Sequence, residues 1–179
     1  MRLRIAVTMC LSLGVVALGI GRHQAIGSPK APADAPQSAL EAFKKLSGDW
    51  VGKGTAGPGG DAPRVNFRVT AGGSAVVETE LPGTDQEMIT VIHPDGDDLV
   101  LTHYCHLGNQ PQMRAPGKMD GNRVAFKFVR VSNASAEKDP HMHAVTYTFN
   151  DDGTLTADWT FYQNNKPAGN VAFELKRKK

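Results

Sequence analysis

Two short clusters hold the residues of this sequence that are best suited to metal binding, proton transfer or ligand contact. The first is His103-Tyr104-Cys105-His106, and the second is His141-Met142-His143. Imidazole and thiolate groups bind zinc and copper, and imidazole also binds haem iron or transfers protons near neutral pH. These clusters are therefore the first candidates for a functional site.

Three interpretations of the histidines remain open from the sequence. Histidines in a protein core often bond to Tyr, Glu or backbone groups and then need no ligand. Alternatively they contact an organic ligand, or they hold zinc, copper or haem, with methionine sulfur as a further ligand for Cu(I). The residues that would hold the metal or haem are His103, Cys105, His141 and His143. No cofactor is favoured.

The position of each cluster on a β-strand indicates where its side chains point. Because side chains alternate along a strand, His103 and Cys105 share a face with the apolar residues before them, and His141 and His143 with those after them. If these faces line the interior, all four side chains project inward. One strand, residues 122–131, is expected between the clusters, so the side chains start about 10 Å apart.

The polar stretch 107–114 follows the first cluster and is predicted to form a loop at the mouth of the fold, where ligands enter. The alternative is a β-bulge or broken strand whose amides bond to stray backbone groups. The two clusters, the polar stretch and nearby residues predicted to face inward together give the predicted ligand-binding set. It consists of His103, Cys105, Asn109, Gln110, Met113, His141, His143, Tyr147 and Trp159.

Motifs for other chemistry are absent or lack the context they need. Residues 52–57 match G-x-G-x-x-G, but Pro58 and Pro63 prevent the helix that a dinucleotide site requires. One of Glu78, Glu80 and Glu87 is expected to face the same cavity as the histidines. Paired carboxylates can support hydrolysis, but this spacing gives no specific support for it. We assign no catalytic residue and favour a protein that is not an enzyme.

The elements that must position these residues are β-strands. Polar and apolar residues alternate in five runs, at residues 65–70, 124–129, 144–149, 155–161 and 171–176, and short turns rich in Asp, Asn and Gly separate many of them. A meander of this kind hides its edges by closing on itself. We predict an all-β, antiparallel up-and-down β-barrel of about eight to ten strands.

One short helix is expected before the first strand. Ser38 and Glu41 have the spacing of a capping box, and apolar residues at near-helical spacing continue to Leu46 before Gly48 ends the pattern. The helix is predicted to span about ten residues.

The first 27 residues have the pattern of a secretory signal peptide. Arg2 and Arg4 precede an uncharged stretch at residues 5–20, and small residues follow. An uncleaved anchor helix is the alternative. We predict a signal peptide at 1–27, a flexible linker at 28–37 and a barrel domain at 38–179, in a protein exported to the periplasm or secreted.

Removal of the signal peptide changes the charge balance. The chain has 20 basic and 18 acidic residues, and three of the basic ones lie in the signal peptide. The nearly neutral mature protein gives no electrostatic reason for nucleic-acid binding. We expect a monomer without stable membrane insertion, whose partner is a small molecule.

Several segments resemble a known group of barrels. Gly48-Asp49-Trp50 resembles the G-x-W signature of lipocalins and the wider calycin group. The segments Thr102–Cys105, Gly108–Pro111 and His141–His143 are similar to exported bacterial calycin-like proteins of unassigned function. The resemblance covers roughly residues 40–176, although the T-D-Y motif of lipocalins is absent.

The resemblance implies a barrel that carries a small apolar molecule in its interior. It also implies that Lys176 or Arg177 stacks on Trp50. The sequence therefore predicts an exported barrel that holds an apolar or amphipathic ligand. The alternative is a metal- or haem-binding protein that uses the interior His/Cys cluster.

Overall fold

Ten antiparallel strands, each paired with its neighbours in sequence, build the fold in a computed structural model that describes residues 38–54 and 62–179. The predicted signal peptide (1–27) and linker (28–37) lie outside the described residues. The elements are α1 Ala39–Lys44, β1 Gly48–Gly54, β2 Arg64–Thr70, β3 Ala75–Glu80, β4 Met88–Asp95, β5 Asp98–Tyr104, β6 Gln110–Pro116, β7 Arg123–Ser132, β8 His141–Phe149, β9 Leu155–Gln163 and β10 Lys166–Arg177.

The sheet closes on itself because β1 pairs with both β2 and β10. Trp50 lies opposite Val65 in β2 and opposite Arg177 in β10. Closure leaves no strand of the sheet unpaired, which removes exposed edges. The predicted antiparallel up-and-down barrel is confirmed, with ten strands.

The turn residues adopt the backbone that the sequence predicts. Gly96, Gly121 and Gly153 have φ angles of 63°, 58° and 80°, and Asn164 and Asn165 have φ angles of 51° and 56°. These left-handed conformations suit Gly and Asn in tight hairpins. They explain why the strands follow one another as a meander.

The helix α1 closes one end of the barrel with an aromatic side chain. Phe43 is fully buried, and its ring centroid lies 6.1, 5.0 and 5.4 Å from those of Phe126, Tyr147 and Phe149. Because α1 leads directly into the first residue of β1, it lies where the odd-numbered strands begin. We call this the helix end, and the opposite end, where β3 and β5 finish, the far end.

The helix is shorter than expected and lacks its capping box. It has six residues, and the Ser38 side chain makes no capping hydrogen bond. Instead, the Ala39 amide donates to the Gly117 carbonyl at 2.9 Å, while Glu41 accepts a bond from Lys44. The barrel itself thus satisfies one of the backbone donors that are left free at the start of a helix. Within the described residues, no helix has the length and apolarity to span a bilayer.

Residues 110–116 form strand β6, so the loop of the predicted stretch is limited to residues 107–109. The register of β6 against β7 shifts between Gln112 and Met113, which agrees with the alternative of a bulged strand. Pro111, Met113 and Ala115 are buried and alternate with more exposed neighbours. Two strands, β6 and β7, consequently separate β5 from β8, where the sequence analysis placed one. The three intervening gaps put β5 and β8 about 14 Å apart along the sheet.

The last strand is fastened to the helix by Arg177. Its guanidinium stacks 4.7 Å from the centroid of Trp50, as the resemblance implies, and donates to the carbonyls of Lys45 and Ser47 at 2.7 and 2.6 Å. Gly48 has a φ of +122°, and a Cβ there would lie 2.9 Å from the guanidinium. A glycine at this position is therefore needed for the close approach.

Replacement of Arg177 by Ala is expected to lower the free energy of unfolding by about 1–2 kcal/mol, because two hydrogen bonds and the stacking contact are lost. Lys176→Ala on the same strand is the matched control, since Lys176 is exposed. Urea unfolding measures both variants. Equal stability of the two would show that Arg177 does not fasten the barrel.

Candidate functional site

Two hydrogen-bonded groups of buried polar side chains lie next to each other in the barrel interior. The Tyr147 hydroxyl donates to Glu78 Oε2 at 2.5 Å. On the neighbouring strands, Thr90 Oγ1 lies 3.3 Å from Glu80 Oε1 and 2.8 Å from His103 Nδ1. All five residues are at most 4% exposed. We call this set the polar chain.

Strand pairing explains why these groups meet. Glu78 lies opposite Thr90 across β3 and β4, and Thr90 lies opposite His103 across β4 and β5. Residues paired in this way project to the same face, where their side chains interact. Val76, Glu78 and Glu80 alternate along β3, so two carboxyl groups enter an otherwise apolar interior.

Burial controls the charge of the polar chain. Burial, together with the nearby Glu80, raises the pKa of Glu78 well above its ordinary value. Burial raises the pKa of Glu80 to about 7 and lowers that of His103 to about 4. With a pKa of about 4, His103 is thus uncharged near neutral pH, and burial favours the protonated form of Glu78. The 3.7 Å approach of Glu80 Oε1 to His103 Nδ1 is therefore not an ion pair.

Two nitrogen atoms beside this chain have no hydrogen-bond partner among the described residues. They are His103 Nε2 and Trp159 Nε1, on rings whose centroids lie 4.8 Å apart and which are each 1% exposed. By contrast, the Trp50 indole donates to the Leu46 carbonyl at 2.7 Å. An unpaired buried polar group costs about 1–3 kcal/mol. A polar group of a ligand or a buried water would satisfy both atoms.

The second histidine cluster satisfies its own hydrogen bonds. His141 Nδ1 donates to the Asp139 carbonyl at 2.9 Å, and His141 Nε2 lies 3.1 Å from His143 Nδ1. The His143 ring is stacked between Phe128 and Tyr162, with centroid distances of 4.4 and 3.7 Å. For these two histidines, the geometry best fits the interpretation that they bond to other protein groups and need no ligand.

Alternation along β8 is interrupted, which corrects the predicted orientation of this cluster. The register against β9 shifts between Met142 and Ala144, so His143 is an extra residue. Met142, rather than a histidine, lies opposite Phe161 and packs against the core. His141 is also buried. Counting alternate residues back from the centre of β8 does not explain this, because the extra residue shifts the phase.

The structure brings only part of the predicted ligand-binding set together. His103, Tyr147 and Trp159 meet at the polar chain, and Met113 is fully buried in the core. The remaining residues lie toward the far end: Cys105, Asn109, Gln110, His141 and His143.

The far-end residues have structural roles of their own. The Asn109 amide donates to the Pro140 carbonyl at 2.8 Å, and the Gln110 amide donates to the Gly108 carbonyl at 3.1 Å. Cys105 is buried, and burial raises the pKa of its thiol. A thiol of raised pKa is a poor nucleophile near neutral pH.

The metal set of the alternative interpretation is not assembled. In residues 38–54 and 62–179, no three His, Cys, Asp or Glu side chains are grouped so that they could hold a metal ion. His103 lies in β5 and Cys105 directly after it, and two strands, β6 and β7, separate β5 from the strand that holds His141 and His143. Zinc, copper or haem held jointly by these four residues does not fit this geometry.

The sequence predicted that one carboxylate faces the cavity, and it did not predict a role for Thr90. Both Glu78 and Glu80 are buried, whereas Glu87 is exposed and accepts a bond from the Gly83 amide. The available signal was the phase of β3, because both glutamates share a face with Val76. Thr90 gave no signal, since threonine is common in strands.

The larger clefts of the molecule lie elsewhere. Four clefts of about 290 to 610 Å³ involve described residues, and none is lined by a residue of the predicted ligand-binding set. The largest lies between the start of α1 and the β4–β5 turn, at the helix end. The adjacent unpaired nitrogens of His103 and Trp159, rather than cleft size, identify the candidate site; a third unpaired buried atom among the described residues, Asn109 Oδ1, lies toward the far end.

Comparison with known proteins supports the architecture. No family model and no curated protein matches the chain. The chain is similar to the crystal structure of Rv2717c from M. tuberculosis, with 15% identity and a TM-score of 0.55, over 81% of this chain and 100% of that chain. At this identity, the similarity shows the fold alone: a closed antiparallel barrel, without evidence for membership of the lipocalins or calycins.

Proposed function

We propose that this protein binds a small apolar or amphipathic molecule in the barrel interior, beside His103 and Trp159. The observation that carries the proposal is the pair of buried nitrogens, His103 Nε2 and Trp159 Nε1, that lack hydrogen-bond partners among the described residues. Binding sites in barrels combine apolar walls with a few polar groups that orient the ligand.

The surroundings of these two atoms favour this chemistry. Trp159 packs against Tyr147, with ring centroids 6.3 Å apart, and belongs to a core of apolar and aromatic side chains. Neutral His103 and the Trp159 indole would fix the orientation of one polar group on a mostly apolar ligand.

Native mass spectrometry of the protein exported by a bacterial host is the test. We expect an organic mass bound to the wild type, and about tenfold lower occupancy in the His103→Gln and Trp159→Phe variants, because each removes one polar contact. His143→Gln is the matched control, since the His143 ring lies in a separate stacked cluster. Equal occupancy in all three variants would place the ligand elsewhere.

The same spectrum tests the metal or haem alternative. A metal or haem mass that disappears in a His141→Gln/His143→Gln variant would replace the carrier proposal with the His/Cys site. A spectrum without any added mass, in protein shown to be folded, would indicate that the histidines are satisfied core residues. The native mass also tests the expected monomer.

We further propose that the protein is exported to the periplasm or secreted. The proposal is supported by Arg2 and Arg4 in front of the uncharged residues 5–20. Cell fractionation followed by an intact mass is expected to find the protein outside the cytoplasm and beginning at Ser28. A full-length mass in the membrane fraction would instead support the uncleaved anchor.

A further inference from the structure

We propose that the ligand presents an uncharged hydroxyl group to the pair formed by His103 and Trp159. This inference rests on the proposed function and names the class of ligand at the same site. The hydrogen-bonding capacity of the groups around the two unpaired nitrogens determines which ligand group fits between them.

Trp159 determines half of the requirement. An indole N–H donates a hydrogen bond and cannot accept one. The ligand atom that faces Trp159 Nε1 must therefore be an acceptor, such as an oxygen with a free lone pair. A protonated amine, which has only donors, does not meet this requirement.

The tautomer of His103 determines the other half. Thr90 Oγ1 has a single proton and two neighbours, Glu80 Oε1 and His103 Nδ1. When Glu80 is charged, Thr90 donates to the carboxylate, because bonds to charged acceptors are the stronger ones. His103 Nδ1 then carries the proton and donates to Thr90, and Nε2 becomes an acceptor. When Glu80 is protonated, the same bonds reverse, and Nε2 becomes a donor.

A hydroxyl group satisfies both arrangements. Its oxygen accepts from Trp159 while its proton is donated to His103 Nε2, and with Nε2 as a donor the oxygen accepts from both. A ketone oxygen cannot donate, so it leaves Nε2 unpaired whenever Glu80 is charged. The hydroxyl is thus the uncharged oxygen group that pairs with both nitrogens in either state.

The charges near the site disfavour an anionic ligand. Glu80 lies near Glu78 on its own strand and near Thr90 and His103 on the next two strands. Its charge also raises the pKa values of Tyr147 and Cys105. None of these groups supplies a positive charge near neutral pH, and the basic side chain that influences His103, His106, is exposed. A carboxylate placed beside the glutamate pair would meet like charge in a low-dielectric interior. The site therefore selects against fatty-acid-like anions.

The test compares matched probes on the delipidated, exported protein at pH 8. Straight-chain alcohols of about six to twelve carbons are measured beside the ketones and carboxylates of equal length, since interior sites take ligands of this size. At each length, the alcohol is expected to bind about tenfold more tightly than the ketone, because the ketone leaves a buried acceptor unpaired. The carboxylate is expected to bind most weakly.

The indole N–H resonances report the contact directly. The alcohol is expected to shift the Trp159 resonance downfield, while that of Trp50, already bonded to Leu46, serves as an internal reference and stays in place. Thr90→Val removes the hydroxyl that links Glu80 to His103 without changing the side-chain size. In that variant the preference for alcohol over ketone is expected to shrink at least about threefold.

The outcomes separate this inference from the proposed function. Tighter binding of a ketone or carboxylate, with the Trp159 resonance shifted, would overturn the hydroxyl assignment and leave the interior binding site intact. If no probe of any class shifts the Trp159 resonance, a hydroxyl-bearing ligand at this pair is excluded. If, in addition, native mass spectrometry finds no organic mass, the proposed function fails as well.

Discussion

Replacement of Phe43 by Ala is expected to lower the free energy of unfolding by about 3–5 kcal/mol, the usual cost of truncating a fully buried phenylalanine. Phe43 is 0% exposed and contacts three aromatic rings of the barrel. Because the closed sheet around it cannot collapse into the space left by the ring, most of the cavity penalty should remain. Urea unfolding followed by tryptophan fluorescence measures the loss.

The control for this prediction comes from the same helix. Leu40 is only partly buried and packs at the margin of the core, so Leu40→Ala is expected to cost clearly less than Phe43→Ala. Similar losses from both variants would mean that α1 contributes by covering the barrel as a whole. The specific role of the Phe43 ring in closing the helix end would then be wrong.

Replacement of Glu80 by Gln is expected to stabilise the protein by about 2–3 kcal/mol more at pH 8 than at pH 5. Burial raises the pKa of Glu80 from 4.5 to about 7. Between these values the folded protein keeps a proton that the unfolded chain releases, so stability falls as pH rises through this window. Glutamine carries no such proton and avoids this loss.

Two other buried groups shape the pH profile of the wild type. Glu78, whose pKa burial also raises, adds to the loss of stability with rising pH. His103 acts in the opposite direction, because burial lowers its pKa from 6.5 to about 4, and its contribution is lost as pH falls through that window. Between about pH 6.5 and 7 the contribution of His103 is complete and both carboxyl groups still lower stability, so the decline should be steepest there; above pH 7 the contribution of Glu80 levels off.

Urea unfolding at a series of pH values measures this effect. Glu174→Gln is the matched control, because Glu174 is exposed on a strand, and its substitution is expected to leave the pH profile unchanged. If the difference in the free energy of unfolding between Glu80→Gln and the wild type is the same at every pH, Glu80 titrates normally. In that case Glu80 would not be held in a desolvated interior.

The sequence was sufficient for the barrel and insufficient for the details of its site. Alternation along β7, β9 and β10 and the Gly and Asn turns predicted the meander, because these signals are local. The bulge at His143 was invisible, since His-Met-His-Ala alternates like a regular strand. The sequence did not distinguish strand β6 from a mouth loop, because proline and two glutamines obscured its alternation.

The candidate site shows the same limit. His103, Tyr147 and Trp159 were found from their phase on separate strands. That Thr90 connects Glu80 to His103 depends on the register between strands, which the pairing of distant residues determines. The unpaired state of two nitrogens could be recognised only once all their neighbours were placed.

The pairing of β1 with β10, which closes the barrel, affects how the chain folds. It joins residues 50–54 to residues 173–177, so the barrel cannot close until nearly the whole sequence is available. Contacts this distant in sequence make folding slow relative to helical proteins of similar size. A chain that stays open until its last strand arrives remains competent for threading through a translocation pore, which suits the export proposed for this protein.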